Sequence, residues 1–390
     1  MSKINELVEK LCPNGAEYYS IRDLCNITRG RVMSKDYIRD NRGEYPVYSS
    51  QTENNGELGK ISTYDYEGEY LTWTTDGANA GSVFYRDGKF SVTNVCGLLK
   101  VINNRITTKF LYYILSIEAP KYVNAGMGNP KLMSNVMARI KVVVPPLEVQ
   151  HEIVHILDDF TLLSAELSAE LKARQKQYKY YRNKLFSDIQ NESKIMKVED
   201  ISLKISSGGT PLTTNQEYYN GNIPWLRTQE VNFDEIYDTG VKITKDAIKN
   251  SSAKLIPKNC VIVAMYGATV GKVGINKIEM TTNQACCNIE VNPNIVEYKY
   301  LFYWLSEQYS YIKSLGQGSQ TNINSKIVKE LKVPIPSLEK QRKIVSILDK
   351  FKKITQDFTE GIPAEIDYRE KQYNYYRDRL LNFKREGDVE

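Results

Sequence analysis

A chain of 390 residues is long for one domain, since roughly 150 residues per domain is the usual expectation. Its 25% charged and 41% hydrophobic content is that of an ordinary globular protein. The longest apolar runs, Val142–Leu147 and Val261–Met265, fall far short of the ~18 residues of a membrane span, and Met1–Lys10 lacks the apolar core of a secretory signal, so neither insertion nor export is expected.

In chain order, residues 1–145 mix short β-branched and aromatic runs, such as Tyr70–Thr75, with Gly, Asn, Asp and Pro, the pattern of strands separated by turns. With one helical stretch, Thr108–Glu118, this predicts an α+β head over 1–150. After Pro145-Pro146 the apolar positions Ile153, Leu157, Phe160, Leu163, Leu167, Leu171, Tyr178, Tyr181 and Leu185 recur at steps of three and four, interrupted by Arg174. That seam predicts a long coiled-coil-like helix over 151–190. The succession then restarts. Lys258–Met265 and Ala285–Val291 read as strands and Tyr298–Gln308 as a helix within a second head, 191–337. After Pro334-x-Pro336, a second seam (Ile344, Leu348, Phe351, Ile354, Phe358, Ile362, Ile366, Tyr373, Tyr376, Leu380) predicts a second long helix over 338–386. Gly361-Ile362-Pro363 is expected to kink or break it.

The restart is a true internal repeat. Shifted by 190, Gly77-Ala78-x-x-Gly81-x-Val83 falls on Gly267-Ala268-x-x-Gly271-x-Val273, and Cys96 on Cys286. Lys109–Ser116 falls on Lys299–Ser306, and Gly126-x-Gly128 on Gly316-x-Gly318. Residues 76–144 and 266–334 share fifteen identities without a gap. After small slips in register, Leu147-Glu148-x-Gln150 and Ile153-Val154-x-Ile156-Leu157-Asp158 recur from 338 and 344, and Lys176-Gln177-Tyr178-x-Tyr180-Tyr181-Arg182 recurs from 371. Two such seams bury each other most economically as an antiparallel pair, about 60 Å long for ~40 residues. The expectation is an internal pseudo-two-fold chain whose heads are held apart by a rigid bar.

Catalytic patterns are weak. His151-Glu152-x-x-His155 spells a zinc-protease motif, but the same positions of the second copy are Arg342, Lys343 and Ser346, and the chain has only two histidines. Exposed helix histidines are the favoured reading. Gly267–Val273 is one residue short of a phosphate loop and lacks its Ser or Thr, which favours a turn between strands. The six cysteines (Cys12, Cys25, Cys96, Cys260, Cys286, Cys287) form no C-x-x-C pair, which argues against disulfides or zinc knuckles and for a cytoplasmic setting. No metal, no cofactor and no catalytic residue is assigned.

The duplicated head and helix, with Leu-Glu-x-Gln, Ile-Val-x-Ile-Leu-Asp and Lys-Gln-Tyr-x-Tyr-Tyr-Arg, resembles the specificity subunit of type I restriction-modification systems. The second head adds Ser207-Gly208-Gly209-Thr210-Pro211 and Tyr219-x-Gly221-x-Ile223-Pro224-Trp225, similar to the opening of that family's target-recognition domains. The first head departs from it, with Thr28-Arg29-Gly30-Arg31 in that place. The resemblance implies a non-catalytic, cytoplasmic DNA reader. Each head would recognise half of a bipartite double-stranded target and the helices would set the gap. Two modification and two restriction subunits would be its partners, and S-adenosylmethionine, ATP and Mg²⁺ would belong to them.

Loops rich in donors suit major-groove edges. The candidates are Arg29, Arg31, Lys35, Ser50, Gln51, Asn54, Thr75 and Asn79 in the first head. In the second they are Thr210, Thr213, Thr214, Arg227, Gln229, Tyr266, Thr269 and Lys272. Helix packing is assigned to Ile153, Leu157, Phe160, Leu167, Leu171, Tyr178, Tyr181, Ile344, Leu348, Phe351, Phe358, Tyr373 and Tyr376. The net charge of +5 permits a nucleic-acid partner without requiring one. A scaffold with two protein-binding heads is the alternative from a different class.

Overall fold

The computed structural model describes residues 2–126, 128–190, 192–316 and 322–384. Gly318 of the repeated glycine pair, Asn191 at the expected start of the second head, and residues 385–386 at the expected helix end lie outside them. The chain divides into two compact units, Met1–Leu167 with Ile366–Glu390, and Ser168–Glu365.

In the first unit Cys25–Arg29, Cys96–Val101, Tyr70–Thr74 and Val83–Arg86 form an antiparallel sheet in that order. Leu71, Thr72, Trp73 and Thr74 are all buried, so both faces of this sheet are covered. A second sheet runs Glu57–Ile61, Arg42–Tyr48, Lys89–Val92, Tyr66–Glu67, and its middle pair is parallel. Glu17–Ser20 pairs with Lys141–Val144. The helix Thr108–Glu118 begins where the Thr107 hydroxyl accepts from Phe110 N–H at 3.2 Å, and it buries Phe110, Leu111, Tyr113, Ile114 and Leu115.

The second unit repeats this plan. Ser202–Ser207, Cys286–Val291, Val261–Ala264 and Val273–Asn276 take the same order, and a fifth strand, Glu235–Ile236, is added at the edge. Ile223–Leu226 pairs parallel with Thr281–Thr282, and Lys194–Lys197 pairs with Lys332–Ile335. Gly267–Val273 is the turn between two of these strands, as its sequence suggested. All six cysteines are buried free thiols.

The first long helix runs Leu147–Gln190, starting directly after the prolines. Within the first unit Phe160 stacks on Tyr376 at 5.6 Å and meets Tyr373 at 6.4 Å. Leu157 and Ile153, one and two turns earlier, share a core with Leu380 and Leu381. The helices there are therefore antiparallel. Within the second unit Phe351 stacks on Tyr181 at 5.7 Å and meets Tyr178 at 6.1 Å, while Ile344 and Leu348 share a core with Phe186 and Ile189. The two pairings are one contact written twice, with the Phe from one copy and the tyrosines from the other.

The second helix breaks where Gly361-Ile362-Pro363 was expected to break it, into Leu338–Gln356 and Ile362–Leu380. Asp357 interrupts it by accepting from Thr359 N–H at 2.7 Å and Glu360 N–H at 3.2 Å. Phe358 sits in that interruption and is 80% exposed, so it packs no seam. Leu167 and Leu171 are half-buried, and Leu185 packs against the core that Phe186 enters. No described helix is long and apolar enough to cross a membrane.

Candidate nucleic-acid interface

Each head presents two loops tied to one another. In the first, residues 49–56 link Arg42–Tyr48 to Glu57–Ile61. The loop turns through left-handed backbone at Asn54 (φ 48°), Asn55 (φ 53°) and Gly56 (φ 78°). The Ser50 hydroxyl donates to Val95 O and accepts from Thr75 N–H at 3.3 Å. Gln51 Nε2 donates to Glu57 O at 2.6 Å. Asn79, in the hairpin turn opposite, donates from Nδ2 to Thr52 Oγ1 at 3.1 Å. Ser50, Gln51, Asn54, Thr75 and Asn79 are thus brought together. Thr75, however, is completely buried, with its hydroxyl given to Val95 O at 2.8 Å. It builds the turn and is not a base contact.

The other first-head candidates lie apart from that cluster. Arg29 Nε donates to Ser134 Oγ at 3.2 Å. Arg31 pairs with Asp65 at 3.0 Å and lies over the Tyr37 ring. Lys35 is exposed in the first turn of Lys35–Asp40.

The second head repeats the two-loop device at the same repeat position. Thr269, which is residue 79 shifted by 190, donates to Thr228 O at 2.8 Å and ties the Gly267–Thr269 turn to the Thr228–Glu230 turn. Arg227 lies beside Glu230, and Lys272 Nζ donates to Asn232 Oδ1 at 2.7 Å. With exposed Gln229 and Tyr266 these residues make one surface. Thr210 is held by Gln284, and Thr213 and Thr214 are exposed in the preceding loop.

The departure in the first head's opening also resolves. A Cβ on Gly30 would stand 1.9 Å from Val92 O, and one on Gly208 would stand 1.9 Å from Thr282 O. Residues 92 and 282 are again 190 apart. Gly30 is the counterpart of Gly208, kept where two backbones cross too closely for any side chain.

Sequence reasoning missed the groups that hold these heads. Gln150 and Gln341 are completely buried. Gln150 accepts from Thr107 N–H at 2.9 Å and donates to Arg105 O and Pro145 O. Gln341 treats Glu297 N–H, Ile295 O and Pro336 O identically. Asp158 binds Lys109 and Tyr113, and Asp349 binds Lys299 (2.9 Å) and Tyr303 (2.6 Å). Lys299 also meets Glu235 at 3.2 Å. Burial works against its charge, but the Asp349 and Glu235 carboxylates outweigh that and raise its pKa. The side chains Gln150, Asp158, Lys109 and Tyr113 recur as identities in the second copy, which was the available signal, whereas Glu235 has no such counterpart. Arg86, buried beneath the first loop, has no such signal: residue 276 is Asn. Of the His-Glu-x-x-His residues, Glu152 pairs with Lys3, and exposed His155 faces Asp159 at 3.1 Å.

The sequence matches the type I restriction modification DNA specificity domain over residues 13–174 and again over 190–368. A Mycoplasma pneumoniae chain described as a type I specificity subunit is 38% identical over 376 residues, spanning 94% of this chain and 97% of the relative. The Escherichia coli EcoR124I/EcoR124II specificity subunit is 35% identical over 300 residues, 74% of each chain. The fold is similar to the crystal structure of a Mycoplasma genitalium type I restriction-modification S subunit, with TM-score 0.58 and 17% identity over 93% of this chain and 94% of that one. Matched twice by the family's domain, and along nearly its whole length by a relative, the chain belongs to the type I restriction-modification specificity subunits.

Proposed function

We propose that this chain reads a bipartite double-stranded DNA target, one half per head, as the non-catalytic specificity subunit of a cytoplasmic modification and restriction assembly. The observation that carries this reading is the tied loop pair, present in both heads at one repeat position and lined by different residues in each. Equivalent placement with different donors suits two readers of two different sequences. Asn54, Gln51 and Asn79 are the first head's readers, and Arg227, Gln229, Tyr266 and Lys272 the second's. Arg29, Arg31, Lys35, Thr210, Thr213 and Thr214 flank them as candidates for phosphate or outer base contacts.

The helix pairs set the number of unspecified base pairs and receive two modification subunits, with two restriction subunits completing the complex. S-adenosylmethionine, ATP and Mg²⁺ are bound by those partners. The heads are nearly neutral, and only residues 340–385 are distinctly basic, with 12 basic against 7 acidic groups. Phosphate neutralisation therefore falls largely to the modification subunits. A gel-shift of the chain with its modification subunit should show saturable, sequence-dependent binding at moderate salt. Binding indifferent to sequence would favour a scaffold instead.

A further inference from the structure

Arg86 is 3% exposed, and its partners among the described residues, Thr72, Asn55 and the Tyr48 and Phe84 rings, include no carboxylate. Its guanidinium lies 3.6 Å over the Tyr48 ring, its Nε donates to Thr72 Oγ1 at 3.1 Å, and its Nη2 donates to Asn55 O at 2.8 Å. Nη1 has no hydrogen-bond partner. Burial pushes its pKa below the ordinary arginine value. A buried, unpaired cation is an expensive way to hold a sheet together, and an apolar residue would fill the space at less cost.

Its contacts explain where it acts. Tyr48 is the last residue before the 49–56 loop, and Asn55 is the second of two successive non-glycine residues in left-handed backbone. Such backbone persists only where surrounding contacts over-determine it. A Cβ on Gly56, the next residue, would come 3.0 Å from Nη2. The guanidinium thus holds both ends of one strained loop from below, and this loop carries half-buried Gln51 and exposed Asn54. The second head has Asn276 at this position, which binds Pro257 O and Ile278 O, so the device belongs to the first head alone.

We propose that Arg86 is a specificity-determining positioning residue: it never touches DNA, and it fixes the 49–56 loop in the one shape that reads the first half-site. This rests on the reading of that loop as a base reader. The test is methylation-site mapping with the chain, its modification subunit and the variants Arg86→Gln, Arg86→Lys and Gly56→Ala. The expected result is a loss of about tenfold or more in discrimination at the first half-site, the scale of one lost bidentate base contact. The second half-site and the spacer should stay unchanged, which also reports that the chain folds and assembles. A merely structural role would lower methylation at both half-sites together and leave base preference intact; that result overturns the inference, as does unchanged preference in all three variants. Asn54→Ala and Gln51→Ala separate the two levels. If these change the first half-site's preference and the Arg86 and Gly56 variants do not, the inference alone fails. If none of the five changes it, the loop is no reader.

Discussion

Replacing Gln341 by leucine removes one amide and leaves its volume nearly filled. Three backbone groups lose their partner: Glu297 N–H and the carbonyls of Ile295 and Pro336. An orphaned buried group costs about 1–3 kcal/mol, and these three are only part-buried, so a loss near the low end of their sum, about 3–5 kcal/mol, is expected. That is a large part of the ~5–15 kcal/mol by which domains are stable. Glu297 also caps the helix Tyr298–Glu307, so that helix should fray first. The assay is urea unfolding followed by tryptophan fluorescence, since Trp225 and Trp304 lie in the unit that Gln341 stabilises. Gln341→Glu sharpens it. A carboxylate still accepts from Glu297 N–H but faces two carbonyl oxygens to which it cannot donate. Its folded-state pKa would rise above the ordinary ~4.3. The deficit should then be small below about pH 4 and grow as pH rises through the folded value. Gln150→Leu should repeat the loss in the first unit. A cost under ~1 kcal/mol for both leucine variants would refute the view that Leu-Glu-x-Gln is kept twice for its buried amide.

Other outcomes follow from the same geometry. Lys299→Met should cost about 1–3 kcal/mol and Lys109→Met under ~1, because Lys299 meets two carboxylates and is 25% exposed against 41% for Lys109. The raised Lys299 pKa contributes stability that is lost only as pH rises above 10.5. Tyr237 and the nearby lysines overcome burial to depress the Glu235 pKa, giving stability that is lost as pH falls below 4.5. Thermal melts of the two variants against pH check both. Gly361→Ala brings a Cβ within 2.5 Å of Lys353 O and 2.6 Å of Asp357 O and should lower the melting temperature, whereas Phe358→Ser should change stability by less than ~0.5 kcal/mol. Residues 164–167 and 168–171 both read Ser-Ala-Glu-Leu, and a third copy after Leu171 adds ~6 Å of helix, against ~3.4 Å per base-pair step. Methylation mapping should show a spacer one or two base pairs longer with the same half-sites.

The repeat made most of the fold legible. Strands at Tyr70–Thr74 and Val261–Ala264, and helices at Thr108–Glu118 and Tyr298–Glu307, stand where periodicity and turn residues placed them. Comparing the copies also marked Gln150, Asp158, Lys109 and Tyr113 as repeated polar identities, although the meeting of Lys109 with Asp158, 49 residues on, shows only in three dimensions. What stayed hidden has physical reasons. The parallel pairing of Arg42–Tyr48 with Lys89–Val92 joins segments with no local signal. Asp357 stops a helix whose apolar spacing runs straight through it, so Phe358 looked like a seam residue. Thr75 has a donor's chemistry but a core residue's burial, and an arginine in a hairpin gave no hint that Arg86 is buried.

The central claim is that two different heads on one chain read two different half-sites. Its most direct test is single-molecule methylome sequencing of a host expressing this chain with its modification subunit, repeated with residues 42–101 replaced by the same segment of a relative. Two unlike half-sites separated by a fixed gap, with only one of them changed by the exchange, is the predicted result. A single continuous or palindromic target, or both half-sites changing together, would contradict it.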